Sequence, residues 1–261
     1  MAFDEGEARA LSDELYRRLP AWVSGGSLSG VGARFLATSL LSSGASTAVE
    51  IGTATGFSSA LLASVLDAAN KSGLVDDDFG VVTIDISPQW YVDRSRATGE
   101  AAREVAPHLV DHIEFVNPYD ASEVPRRFSP DSVQFLFIDA NHAHPWPTLD
   151  LLLSLPALKP GAAVVLDDIN LPLIHPSNHD WGAHHLFYGV EVTKEEGAFI
   201  SDAHASMGRL EVPFDKASFG AQLLAVLDGN EWQTEIPTAL EELARSIGGS
   251  PTPASTDSAS A

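Results

Sequence analysis

The stretch Ala48–Ser59, AVEIGTATGFSS, constrains this chain more than any other. A short apolar run carries an acid at Glu50, passes through a turn that holds Gly52 and Gly56, and enters a helix-forming segment at Phe57. Glycine at both positions lets the chain turn tightly and lets another group approach the backbone, because no Cβ intervenes. The helix that follows aims free N–H groups and its positive dipole end back at the turn. Strand, glycine turn and helix in that order make a cradle for a nucleotide-like ligand and call for an α/β architecture around it.

The rest of the chain supplies that architecture. Asp4–Leu19 places Ala8, Leu11, Leu15 and Leu19 at helical spacing, and Pro20 and Gly25–Gly26 end the pattern. Ser29–Leu41 reads as a second helix. Five runs then follow: Thr47–Ile51, Val81–Ile84, His112–Val116, Ser132–Ile138 and Ala162–Leu166. They are apolar on both faces, as strands of a covered parallel sheet are. Helical patterns separate them at Phe57–Asn70, Asp93–Val105 and Leu149–Leu158, with Lys71–Gly80 a polar loop and LKPG, Leu158–Gly161, a closing turn. Beyond Asp168, Leu171–Trp181 reads as a loop and Ala183–Val190 as a helix. Ala198–Ser201 and Arg209–Val212 read as two last strands paired antiparallel, and Phe219–Leu227 and Thr238–Ile247 as closing helices. The pattern predicts an α/β, doubly wound Rossmann-like sheet of about seven strands with helices on both faces. Residues 1–45 form N-terminal helices suited to a cap or a dimer contact, residues 46–247 the sheet domain, and Gly248–Ala261 a disordered tail without apolar anchors.

Composition narrows the partners. With 15 basic against 36 acidic residues the net charge is −21. A surface this acidic repels phosphate backbones and anionic lipid, so neither nucleic acid nor membrane is an expected partner. No window reaches the roughly 18 uninterrupted apolar residues of a membrane span. The N-terminal MAFDEGEARALSDEL lacks the basic-then-apolar order of a signal peptide, so a cytoplasmic protein is expected. The chain has no cysteine, which rules out disulfides, thiolate nucleophiles and Cys-ligated zinc.

With these positions set out, the chain resembles the class I S-adenosylmethionine (SAM) dependent methyltransferases. EIGTATGFS is similar to the E-x-G-x-x-T-G-x-S motif of the metal-dependent O-methyltransferases of catechols and caffeoyl groups. FIDANHAHPWPTLDLLLSLPALKPGAAVVLDDIN resembles a bacterial set that includes magnesium-dependent sugar O-methyltransferases, which share D-x-x-H after the fourth strand and an acidic pair after the fifth. The resemblance covers about Ser29–Tyr188. It implies methyl transfer to a hydroxyl of a small-molecule acceptor (a sugar, a catechol or a natural product), with SAM and Mg²⁺ or another hard divalent cation. Homodimers are common in the resembled families.

The residues can be weighed one by one against that implication. In Glu50-x-Gly52-x-x-x-Gly56, the Glu50 carboxylate suits the cationic end of SAM. Small Gly52, Thr53 and Ala54 let the backbone approach its methionine carboxylate, with Gly56 and Ser58 opening the helix behind them. A dinucleotide site wants G-x-G-x-x-G, whereas here Ala54 takes the second glycine position and an acid precedes the turn. Asp85 ends the second strand, where an acid can accept from both ribose hydroxyls. It lies further along than the roughly 20 residues of the dinucleotide motif, the polar loop supplying the excess. Ile86 would then pack on the adenine and Asp120 accept from its amino group, unless Asp120 serves only the turn NPYD.

Asp139, Asp167 and Asp168 would converge at neighbouring strand ends and repel one another unless protonated or bound to a cation. Hard oxygen donors suit Mg²⁺ or Ca²⁺. The catechol-type enzymes usually carry Asp-Asn at the last pair; Asp-Asp here matches the sugar enzymes. In the alternative, Asp139 orients the acceptor and the pair caps a loop. His142, by resemblance to the sugar enzymes, is the general base, with Asp139 beside it in the catalytic set, and His144 is a neighbouring contender. His175, His179, Trp181, His184 and His185 lack a convincing helical pairing for zinc. They read as a substrate-facing or plain surface loop, with His175, Trp181, His144 and Trp146 as acceptor contacts; Trp90, Tyr91 and Trp146 share one ambiguity, core or rim by default and acceptor contact in the sharper reading. Three other readings stand: metal-independent SAM transfer with His142 as base, an NAD-linked oxidoreductase, and a non-catalytic SAM-binding protein.

Overall fold

The computed structural model describes residues 3–23, 28–76, 78–174, 181–197 and 207–249. The chain opens with α1 (Glu5–Arg17) and α2 (Gly30–Ser43). Asp4 caps α1 by accepting from the Gly6 and Glu7 N–H groups, and Ser29 caps α2 by accepting from Gly32. These short polar side chains replace the missing partners of a helix's first turn, which is why both helices start there. Then follow β1 (Thr47–Ile51), α3 (Phe57–Lys71), β2 (Gly80–Ile84), α4 (Glu100–Val105), β3 (Ile113–Val116), α5 (Val124–Arg127), β4 (Val133–Ile138), α6 (Trp146–Ser154) and β5 (Leu158–Leu166). The last elements are α7 (Leu171–Ile174), α8 (Gly182–Gly189), β6 (Lys194–Glu196), β7 (Gly208–Glu211), α9 (Lys216–Gly229) and α10 (Thr238–Gly248).

Seven strands form one sheet in the order β3-β2-β1-β4-β5-β7-β6. The first five are mutually parallel, and β7 runs antiparallel between β5 and β6. Strand side chains alternate between two cores. Phe135, Phe137, Ala163 and Val165 face α1, α2 and α3, while Leu136, Ile138, Val164 and Leu166 face α6, α8, α9 and α10. A sheet apolar on both faces needs helices on both, and the doubly wound prediction is met for that reason. No described helix is long and apolar enough to cross a membrane.

Three expectations change. The helix expected over Asp93–Val105 begins only at Glu100. Before it, Asp93 Oδ1 accepts from the Ser95 N–H and hydroxyl, Gln89 and Ala97 form a bridge, and Gly99 adopts φ +81°. Side-chain to backbone bonds of this kind compete with helix formation. LKPG is not a turn after a helix: α6 ends at Ser154, and Leu158–Gly161 opens β5, where the pairing with β4 slips between Val133 and Phe135 and Gly161 takes φ +83°. The strand paired with β7 is Lys194–Glu196; the expected Ala198–Ser201 lies outside the described residues, as do Gly25–Gly26 and positions 250–261 of the expected tail.

The N-terminal layer is clasped to the loop after β2. Trp22 sits edge-on to Trp90 at 5.6 Å, the Arg96 guanidinium lies 3.9 Å over the Trp22 ring, and Trp22 Nε1 donates to Glu104 at 3.2 Å. Gly99 closes that loop, and a Cβ there would lie 2.6 Å from Phe115 Cδ1 in addition to straining the backbone. Gly99→Ala is therefore expected to cost about 1–3 kcal/mol in urea unfolding; a cost below about 0.5 kcal/mol would show that this close approach relaxes freely.

Candidate functional site

The glycine turn and the acids meet because β1 and β4 are neighbours. The Asp139 N–H donates to Ile51 O at 2.9 Å, and the Gly52 N–H to Ile84 O at 2.8 Å. Gly52 takes φ +99°, and a Cβ on it would lie 2.8 Å from Ala140 Cα and closer still to the Asp139 carbonyl. Only glycine lets the turn pass so near the end of β4. Gly56 caps α3 at φ +82° against Gly99, and Ala54 is itself at φ +44°. A cleft over this turn is lined by Leu28, Gly52, Thr53, Ala54, Ser58 and Asp139.

Asp85 faces the turn. Its Oδ2 accepts from the Thr53 and Ala54 N–H groups at 3.1 and 3.0 Å, and its Oδ1 from Ser87 N–H at 2.8 Å. A carboxylate has about four acceptor positions, so these three bonds leave about one for a ribose hydroxyl, fewer than the two expected. Ile86 beside it is an exposed apolar side chain. Asp120 accepts from the Ser122 N–H at 2.9 Å and so holds its own turn.

Glu50 is fully buried and receives a hydrogen bond from the Ser59 hydroxyl. Burial pushes its carboxyl up to about 7, with the Ser58, Ser59 and Thr83 hydroxyls pulling the other way. Its carboxyl points into protein, not into the open cleft. The sequence reading passed over Asp150, which is buried on α6 and raised to about 8 by burial and the nearby Asp120 charge.

The second group stands at the ends of β4 and β5. The Asp167 N–H donates to Ile138 O at 3.1 Å, which brings it beside Asp139. Both carboxyls lie well above the usual range, chiefly through burial and then through repulsion from neighbouring carboxylates, and they are hydrogen-bonded to each other. Such a bond requires a proton between them. Asp168 leaves β5 at φ +58°. His142 lies between two of these acids, its Nε2 3.5 Å from Asp139 Oδ1 and its Nδ1 3.6 Å from Asp168 Oδ2. All three side chains keep part of their surface open.

His144 is elsewhere. It is completely buried, its Nε2 lies 3.4 Å from Leu227 O, and its ring stands edge-on to His185 at 5.5 Å. The acceptor-contact expectation for His144 gives way to packing, because no ligand reaches a ring without exposed surface. Trp146 opens α6 half-buried against the core. Trp181 stacks on His185 at 5.7 Å, and Gln233 Oε1 ties its N–H to that of His144. His175 and His179 lie outside the described residues. Leu28 and Gly182 were not singled out from sequence. Gly182 donates to His142 O at 2.8 Å, and a Cβ there would press to 2.7 Å on that oxygen. The only signal for either was its place just before a helix.

Residues 49–169 match the family described as a methyltransferase domain. Solved structures share the fold of this chain. The O-methyltransferase TomG from Streptomyces achromogenes, involved in tomaymycin synthesis and bound to SAM, is 22% identical, with 79% of this chain and 90% of that chain covered at a TM-score of 0.52. An O-methyltransferase from Bacillus cereus in complex with SAH (the demethylated product) is 19% identical, with coverage of 78% and 90% and a TM-score of 0.53. Cofactor-bound Rv0187 from MTB is 20% identical, with coverage of 80% and 89% and a TM-score of 0.53. Comparison with curated protein sequences gave no match.

Among the described residues no group of three or more His, Asp or Glu side chains is set to hold an ion. The donor chemistry still suits a hard divalent cation. Carboxyls that hold a proton through burial and mutual repulsion would release it to a cation that neutralises them.

Glu50 gives a separate test of this core. Its folded pKa of about 7 lies above the ordinary 4.5, so the native state keeps a proton that the unfolded chain gives up. The associated stability is complete below about pH 4.5 and is lost as pH rises through 7. Glu50→Gln keeps the shape and removes the titration. In urea unfolding, wild type should lose up to about 3 kcal/mol relative to Glu50→Gln between pH 4 and pH 8. A pH-independent difference would mean that Glu50 does not titrate in this window.

Proposed function

We propose that this methyltransferase moves the methyl group of SAM to a hydroxyl of a small molecule, with a divalent cation held by Asp139, Asp167 and Asp168. One observation carries the reading: the glycine turn passes against the backbone of Asp139, so a donor bound at the turn would lie beside the carboxyl that faces His142. The solved enzymes of the same fold that bind SAM or SAH support the choice of donor.

In this reading the free N–H groups at the N-terminal end of α3 bind the carboxylate at the amino-acid end of SAM, since those of Thr53 and Ala54 are taken by Asp85. Asp85 offers its remaining acceptor position to the ribose, and Ile86 its apolar face to the adenine. Glu50 supports the turn from beneath. His142 takes the proton from the acceptor hydroxyl, and the resulting imidazolium lies between Asp139 and Asp168. The acceptor oxygen attacks the methyl carbon in line, the carbon–sulfur bond breaks, and its electron pair returns to sulfur as SAH forms. Holding both reactants in one cleft supplies much of the acceleration. A cation at the three aspartates would act as a Lewis acid on the acceptor oxygen.

The hydrogen bond between Asp139 and Asp167 favours a second reading. A shared proton already relieves their repulsion, so His142 could act without a cation. Excess EDTA followed by Mg²⁺ separates the two. The first reading expects turnover to collapse and then return; full activity in EDTA selects the second. In either case His142→Ala should lower kcat by about 10²–10⁴-fold with SAH affinity within about twofold of wild type. Near-normal turnover in that variant would remove His142 as the base, and calorimetric binding of NADH in place of SAH would remove SAM as the donor.

A further inference from the structure

Among the described residues, no short bond holds the His142 ring. Its nitrogens stand 3.5 Å from Asp139 Oδ1 and 3.6 Å from Asp168 Oδ2, beyond ordinary hydrogen-bond length. The backbone that carries the ring therefore sets its place. That backbone is the loop after β4, and it is held throughout. From the carbonyl of His142 to the carbonyl of His144, every N–H and C=O has a partner. Gly182 N–H donates to His142 O at 2.8 Å, Ala143 N–H to Asn141 Oδ1 at 2.9 Å, and Trp146 N–H to Ala143 O at 3.0 Å. His144 N–H donates to Gln233 Oε1 at 2.8 Å, and Gln233 N–H donates to His144 O at 2.8 Å.

Most of these bonds run to distant parts of the chain, and Gln233 makes two of them. Its side-chain oxygen does more. The same Oε1 accepts from Trp181 N–H at 2.9 Å, so both of its acceptor positions are filled. Trp181 and Gly182 open α8. One oxygen thus joins the loop after β4 to the start of α8. Gly182 lies so near that loop that a Cβ on it would come within 2.6 Å of Pro147 Cδ. Gln233 is itself rooted in the core. Beside it, Trp232 packs against the buried cluster, and its Nε1 donates to Leu227 O at 2.9 Å in the last turns of α9. The same carbonyl lies 3.4 Å from Nε2 of the buried His144.

A base takes a proton only from within hydrogen-bond reach, and a misplacement of about 1 Å can cost about 100-fold in rate. A loosely bonded ring on a fully bonded loop meets that demand only while the loop stays fixed. Trp181, Gly182 and Gln233 all lie beyond residues 49–169, the stretch that matches the methyltransferase domain. His142 lies inside it. The group that would do the chemistry and the groups that hold its loop therefore come from separate parts of the chain.

We propose that Gln233 is a positioning residue: its amide oxygen and its own N–H grip the backbone of His144 and so hold the His142 ring between Asp139 and Asp168. The proposal rests on the methyl-transfer reading, in which that ring takes the proton of the acceptor hydroxyl. Gln233 acts through His142. Without its acceptor oxygen, the N–H groups of His144 and Trp181 lose their shared partner, the start of α8 separates from the loop, and the ring leaves its place between the acids.

The test uses the full chain. Gln233→Met keeps the length of the side chain and removes the acceptor, and Gln233→Glu keeps the acceptor oxygen. Position is read by NMR of protein with isotope-labelled histidine and bound SAH at one pH, where the His142 ring signal is the one lost in His142→Ala. In Gln233→Met that signal should move or broaden, while those of His108 and His112, beside the edge strand β3, stay in place. In Gln233→Glu it should stand at its wild-type position. Turnover is read as SAH release with SAM, Mg²⁺ and two acceptor probes, catechol and D-glucose. Gln233→Met should lower kcat by about 10- to 100-fold, with the probe KM and the calorimetric SAH affinity within about threefold of wild type. Gln233→Glu should return kcat to within about threefold, and Gln233→Met added to His142→Ala should change kcat by less than about twofold. A purely structural role would lower kcat by the same factor with or without His142. Should Gln233→Met not fold, Gln233→Asn, whose amide falls one methylene short, takes its place with the same expectations. An unmoved His142 signal in the variant without the acceptor overturns the proposal. So does a Gln233→Glu as impaired as that variant, or an undiminished loss in the His142→Ala background. SAH binding with neither probe methylated counts against transfer to a hydroxyl, and the ring signal then decides the placement by itself. A wild type that does not bind SAH overturns the methyl-transfer reading.

Discussion

β1 and β4 lie side by side, and at their carboxyl ends the chain leaves each strand within a carbon's width of the other. Gly52 departs from β1 at φ +99° with the Asp139 carbonyl where its side chain would be. That contact sets the distance between the glycine turn and the acids. A bulkier residue would force the two strand ends apart, and the turn would no longer open onto Asp139. The remaining features depend on it. Asp85 can bind the Thr53 and Ala54 N–H groups only while the turn is drawn in, and His142 can lie between Asp139 and Asp168 only while β4 and β5 end level with each other.

A chain of net charge −21 must still gather acids at one end of its sheet, and it relieves their repulsion differently at each position. Asp85 is held by three backbone N–H groups. Glu50 is buried among hydroxyls and shifted so far that it is about half protonated near neutral pH. Asp139 and Asp167 share a hydrogen bond. A charge-assisted bond to backbone contributes more than an exposed ion pair, which is usually worth under about 1 kcal/mol. The surface pairs such as Arg34–Asp13 and Arg245–Asp228 therefore matter less to this fold than the internal arrangements that keep the acids apart.

Much of the scaffold was legible because its signals are local. Strand β1 runs over Thr47–Ile51 as expected, since an apolar run bounded by turn residues decides its own ends. The strand ends in turn placed Asp85, Asp139, Asp167 and Asp168 along one edge of the sheet. Where distant parts of the chain decide, the pattern misled. Asp93–Val105 looks helical, yet its first half is a loop held by nearby Ser87 and by the clasp of the distant Trp22 on Trp90. β6 is three exposed polar residues with no apolar alternation and exists through its pairing with β7. His142 and His144 are two residues apart and chemically alike. Gln233 and Leu227, some 90 residues on, hold His144 inside, while Gly182 lets α8 close against the His142 loop.

The sequence by itself determined the covered parallel sheet, the glycine turn and the acids at the strand ends, because hydrophobic period, glycine and strand length act over a few neighbouring residues. Tertiary structure alone decided that Asp85 spends most of its acceptor capacity on the turn, that His142 and not His144 meets the acids, that Glu50 faces inward, and that Trp90 is buried while Tyr91 beside it stays exposed. Each of those depends on which distant backbone or ring occupies the space beside a side chain, and that space exists only once the two cores have packed against the sheet.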